Sequence, residues 1–134
     1  MKVIVCLDDR NGMLFNHRRQ SRDRQVIQDM VGNLGGKRLW ISPFSEKLFQ
    51  GMEDCVQMAD SPLEIAGPGE CCFVEDLSLD PWADRVESLI VYRWNRHYPG
   101  DKFLDLDLSG WRLVSREEFP GSSHQKITKE VYEP

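Results

Sequence analysis

The sequence predicts an α/β domain: a three-layer mixed sheet whose last two strands form an antiparallel hairpin. Three observations carry this. Lys2-Val3-Ile4-Val5-Cys6-Leu7 is a nearly continuous apolar run, as in a strand buried on both faces. Through residue 95, short apolar runs alternate with segments of helical spacing, the pattern of a largely parallel sheet. After that, two strand-like stretches, 111 to 119 and 126 to 132, flank the turn Pro120-Gly121-Ser122-Ser123.

The elements follow in order. Asp8-Asp9-Arg10-Asn11-Gly12 reads as a turn after the first strand. Val26, Ile27, Met30, Val31 and Leu34 fall on one face of a helix. Ser21 suits its N-cap, Asp23 its first turn, and Gly32, Gly35 and Gly36 its end. Arg38-Leu39-Trp40-Ile41 is a second strand. Ser42-Pro43 then opens a helix through Phe44, Leu48 and Phe49. Residues 51 to 70 are the least regular, with a short strand at Cys55-Val56-Gln57-Met58 and a turn at Gly67-Pro68-Gly69. Cys71 to Val74 is a buried strand, Asp80-Pro81 starts a short helix bearing Trp82, and Leu89 to Trp94 is a β-branched, aromatic strand. From Pro99-Gly100 to Trp111 the chain reads as polar connection. Trp40, Trp94 and Trp111 read as core.

At 134 residues the chain suits one domain spanning 1–134. Its formal net charge of -5 disfavours nucleic acid and acidic membranes. No stretch of about 18 apolar residues exists, and Val3 to Cys6 is too short for a signal-peptide core. The expectation is a cytoplasmic protein with no membrane partner. The four cysteines read as buried thiols. Cys71 and Cys72, adjacent on a strand, point to opposite faces and cannot share a metal. No metal site is expected. His97 and His124 read as isolated, solvated loop residues, and no Ser-His-Asp order is evident.

The last third carries a family resemblance. Asp105-Leu106-Asp107-Leu108-Ser109-Gly110-Trp111-Arg112-Leu113-Val114-Ser115-Arg116-Glu117 resembles the acidic segment and following strand near the end of bacterial dihydrofolate reductases. Lys129-Glu130-Val131-Tyr132-Glu133 is similar to their closing strand, and Gly100-Asp101-Lys102-Phe103 to their "E-G-D-T-x-F" segment. About 60 C-terminal residues match by motif; the N-terminal half follows more weakly, in register. The resemblance implies an eight-stranded sheet, here one or two strands short, with the deficit between residues 50 and 70.

The departures bear on chemistry. Reductases of that family grip NADPH with a Gly-Gly pair after the fifth strand, a Gly-Arg-x-Thr helix start and a Ser-Arg strand end. Here the first is Glu75-Asp76, whose charges repel phosphate by about 1 kcal/mol or more. The second is Ser42-Pro43-Phe44-Ser45, without the arginine and with a proline that cannot donate. The third has no match in 51 to 66. The resemblance therefore implies a divergent member without NADPH as cofactor and without reductase activity.

Two candidate sites remain. Asp23 is the nearest match to the family's catalytic carboxylate; otherwise it is a first-turn carboxylate facing the helix dipole. His17, Arg18, Arg19, Arg22 and Arg24 crowd the helix start, where a phosphate or carboxylate ligand would sit. Otherwise they form a solvated loop paired with Asp8, Asp9 or Asp29. Three functions stay open: a module binding a small anionic ligand or a protein, an active NADPH-dependent reductase of a pterin-like substrate with Asp23 as proton donor, and an interaction protein dimerising through an exposed edge strand.

Overall fold

A computed structural model describes residues 1–134. Its main sheet has seven strands, ordered β5-β4-β6-β1-β7-β10-β9. These are β1 (Lys2–Leu7), β4 (Leu39–Ile41), β5 (Val56–Met58), β6 (Cys71–Phe73), β7 (Ser88–Arg93), β9 (Arg112–Phe119) and β10 (Ile127–Glu133). The five strands from β5 to β7 run parallel, while β10 pairs antiparallel with both β7 and β9. This is the mixed sheet with a terminal hairpin that the sequence predicts, one strand short of eight.

β1 sits at the centre, and its alternation builds two cores. Val3, Val5 and Leu7 enter one cluster; Ile4 enters the other, with Cys6 packed against it. α1 (Arg24–Gly32) covers the second face through Val26, Ile27 and Met30. Nine residues are too few for a stable isolated helix, so this burial, about 1.5–3 kcal/mol per side chain, holds it. Gly35 and Gly36 follow with φ of 62° and 83°, a region that resists most side chains. α2 (Pro62–Ile65) and the 3-10 segment Asp80–Arg85 cover the first face, completing three layers. Cys72 enters the first core and Cys71 packs on the second, as adjacent strand residues should. Burial pushes the Cys72 thiol up to about 12.

Several elements depart from the sequence reading. The N-cap of α1 is Asp23, not Ser21, because the Asp23 carboxylate accepts the Gln25 N–H at 2.9 Å. The segment Pro43–Phe49 is 3-10, and the Ser42 hydroxyl makes no cap; it donates to Asp76 instead. α2 lies in the region read as irregular. A second sheet, β3-β2-β8, was not foreseen: β2 (Gly12–Phe15), β3 (Arg18–Arg19) and β8 (Lys102–Phe103) are too short for periodicity to mark. No helix is long and apolar enough to cross a membrane.

β2 and β3 pair Leu14 with Arg19 and Phe15 with Arg18 across a two-residue turn. Asn16 and His17 both carry positive φ, 53° and 61°, the geometry of a type I′ hairpin. Glycine fits the second position better than histidine. His17→Gly is therefore expected to raise unfolding stability in urea by about 0.5–1 kcal/mol. An unchanged or lower midpoint would contradict this assignment.

Candidate functional site

The arginine-rich insertion is laced into the fold by its central residues and Asp23. His17, Arg18, Arg22 and Arg24 face solvent, while Arg19, Gln20, Ser21 and Asp23 turn inward. Gln20 Nε2 donates to Asp8 Oδ2 at 3.3 Å and to the Pro99 carbonyl at 3.1 Å, pinning the hairpin to the turn after β1. The arginines do not pair with Asp8, Asp9 or Asp29. Asp8 is taken by the Arg10, Gly12 and Tyr98 N–H groups, and Asp29 by Lys129 and Tyr92. Arg18, Arg22 and Arg24 form no ion pair.

Asp23 is the node of this lacing, with a fully buried side chain. Its carboxylate accepts the N–H groups of Gln25 (2.9 Å), Ser122 (2.9 Å) and Ser123 (2.8 Å), and faces His124 Nδ1 at 3.0 Å. One residue thus joins the start of α1 to the β9–β10 loop. Burial alone would raise its pKa. The hydrogen bonds, led by Ser122 and His124, outweigh that and hold the carboxyl well below the usual carboxylate range. Gly121 makes the approach possible: a Cβ there would fall on the Asp23 carboxylate and 2.9 Å from the His124 carbonyl.

His124 is 5% exposed, which corrects the expectation of a solvated loop histidine. Its ring stacks on Trp94 at 4.7 Å between centroids. Nδ1 faces a carboxylate that can only accept, so Nδ1 carries a proton. Ser21 Oγ lies 3.1 Å from Nε2 and the Tyr98 hydroxyl 3.0 Å. Ser21, His124 and Asp23 therefore form a hydrogen-bonded chain, a grouping that sequence reading missed. The only signal available in the sequence was that Ser21 and Asp23 lie two residues apart; the histidine is about a hundred residues away.

The position after β6 is also rebuilt. Glu75 is 7% exposed and makes a two-point ion pair with Arg19, through Nε and through Nη2 at 2.6 Å. It also accepts the Ser45 hydroxyl at 2.7 Å, while Asp76 accepts that of Ser42 at 3.1 Å. The Glu75-Asp76 and Ser42-to-Ser45 departures are thus bonded to each other, with Arg19 as the counter-charge. The cleft between α1 and the sheet, lined by Cys6, Ser21, Val26, Ile27, Phe73 and Glu75 among others, has a volume of about 10 Å³. That holds roughly one water. Burial and the neighbouring Glu75 push the Cys6 thiol up, so it is no thiolate nucleophile.

Two open hollows flank this closed cleft. One, of about 280 Å³, is lined by Arg22, Asp23, Arg24, Ile27, Leu48, Met52, Ser122 and Ser123. The other, of about 260 Å³, includes Arg18 and Arg19 beside Tyr98. The structure thus gathers Arg22 and Arg24 in one place and Arg18 and Arg19 in another, while His17 at the hairpin tip lines neither. No group of three or more His, Cys, Asp or Glu side chains converges as a metal site would.

No protein-family model matches the chain, and no curated protein does. Among solved structures it is similar to the dihydrofolate reductase from Enterococcus faecalis complexed with NADP(H) and RAB-propyl. The TM-score is 0.67 at 13% identity, over 98% of this chain and 94% of that one. The fold is that of a dihydrofolate reductase; at this identity the likeness speaks to fold alone.

Proposed function

We propose that this chain keeps the dihydrofolate reductase fold without the NADPH grip, and binds a small anionic ligand over the start of α1, between Arg22 and Arg24. The observation that carries this reading is buried Glu75. It stands where the resemblance calls for bare glycine backbone beside a pyrophosphate, and it is tied to Arg19 and Ser45. The solved neighbour is complexed with NADP(H); here a phosphate would meet a carboxylate whose own cation is already engaged. Closure of the cleft to about 10 Å³ supports the same reading, since a pterin ring needs many times that space.

The anion reading rests on two arginines with no ion-pair partner on one hollow; the first N–H groups of α1 are already taken by Asp23 and Ser122, so the guanidinium groups would do the binding. Asp23 as proton donor to a substrate is the weaker reading. Its carboxylate is ionised at neutral pH and its oxygens are spent on four partners. A homodimer through β9 ranks below ligand binding. Leu113 and Val114 are exposed there, but Arg112, Arg116, Glu117 and Glu118 give the strand the charge that opposes edge pairing.

Thermal shift tests the proposal. Inorganic phosphate is expected to raise the melting temperature at constant ionic strength, and the gain to vanish in Arg22→Ala/Arg24→Ala. NADPH at the same concentration should give no more than phosphate gives. A larger rise with NADPH, persisting in the double variant, would mean that the cofactor grip survives in another form.

A further inference from the structure

We propose that Ser21 is a nucleophile, activated by His124 and oriented through Asp23, and that the chain cleaves small acyl esters at the lip of the closed cleft. Nucleophile to base is 3.1 Å and base to carboxylate 3.0 Å, both within the reach such chains need. Asp23 is a positioning residue: it fixes the Nδ1–H tautomer that leaves Nε2 free to take a proton. Trp94 holds the ring from one face. The Tyr98 hydroxyl lies 3.0 Å from Nε2 and 3.3 Å from Ser21 Oγ; attack requires the Tyr98 proton to be donated to Ser21 Oγ, which turns the Ser21 proton toward Nε2. His124 and Asp23 are buried, while Ser21 keeps partial exposure at the cleft. The backbone N–H groups of Ser21 and Arg22 make no hydrogen bond within the protein and are the donors the proposal assigns to the oxyanion.

The step balances without a redox partner. Ser21 Oγ attacks the ester carbonyl carbon as its proton passes to Nε2. The bond to the leaving alcohol breaks, and that oxygen takes the proton. A water, deprotonated by Nε2, then attacks the acyl carbon; Ser21 departs and recovers the proton. One ester and one water give one acid and one alcohol. The cleft interior admits about one water, too little for an acyl group, so a small ester would meet the partly exposed Ser21 Oγ from outside the cleft, with the rest of the substrate in the hollow beside Arg22 and Arg24.

A fluorophosphonate probe on the full chain tests this: Oγ attack forms the O–P bond and expels fluoride, with the serine proton leaving through Nε2. The expected result is a single phosphonyl group on Ser21 and hydrolysis of 4-nitrophenyl acetate. Ser21→Ala should lose the label and about a hundredfold or more of the hydrolysis rate, with its melting temperature retained. Ser21→Cys should carry the acetyl group on the new thiol. Nitrogen-15 spectra should place the His124 proton on Nδ1 in the wild type and on Nε2 in Asp23→Asn, a change that lost packing alone would not produce. An unlabelled Ser21 in the folded wild type, or equal hydrolysis by Ser21→Ala, overturns the proposal. Neither result bears on phosphate binding at Arg22 and Arg24.

Discussion

Asp23→Ala is expected to lower unfolding stability by about 3–4 kcal/mol at pH 7. The N-cap accounts for about 1 kcal/mol of this. The remainder is the loss of charge-assisted hydrogen bonds from Ser122, Ser123 and His124, worth about 1.5–3 kcal/mol each when intact, with entering water recovering part. Against a total stability of about 5–15 kcal/mol, such a variant would be marginal. Asp23→Asn keeps the volume and one acceptor, and is expected to cost about 2 kcal/mol by urea titration. The pH dependence has a definite sign. The folded carboxyl titrates below its unfolded value, so its contribution is complete above about pH 4, the unfolded value, and is lost as pH falls through the folded one. The gap between wild type and Asp23→Asn should therefore narrow on acidification. A gap that stays constant from pH 7 to pH 3 would show that the charge of Asp23 is not what stabilises the loop.

Breaking the Arg19–Glu75 pair comes next in size. Arg19→Met leaves a carboxylate 7% exposed with only the Ser45 hydroxyl, at an expected cost of about 2–4 kcal/mol. The lower end applies if water reaches Glu75, since the Arg19 side chain is itself 23% exposed. Removing both charges, in Arg19→Met/Glu75→Leu, should return stability to within about 1 kcal/mol of wild type, because an apolar pair fills the space without a desolvated ion. The double-mutant cycle measures the coupling. A double variant as unstable as the single would mean that Arg19 acts through its packing beside Phe44 instead.

The cores on both sides of the sheet were legible because burial imprints a period. Val3, Val5 and Leu7 oppose Ile4 along β1, and Val26, Ile27 and Met30 line α1. The terminal hairpin was legible because two strand-like stretches flanked a Pro-Gly-Ser turn. The motif departures at Glu75-Asp76 and Ser42 to Ser45 could be read singly, but not the fact that they bond to each other through Arg19. The insertion drew attention for its charge; which arginine is engaged and which are free depends on a hairpin too short to show a period.

Local periodicity encodes which faces are buried, so the sheet, the helix and the hairpin could be read from the order of the residues. The site could not, because it is assembled across the folded chain. Asp23 lies 101 residues from His124, and Arg19 lies 56 from Glu75. Polar side chains leave no period in a sequence. Their partners are chosen when the sheet closes the loops between them, and it is this closure that made a capping aspartate into the hub of a buried network and narrowed the cleft to the size of a water.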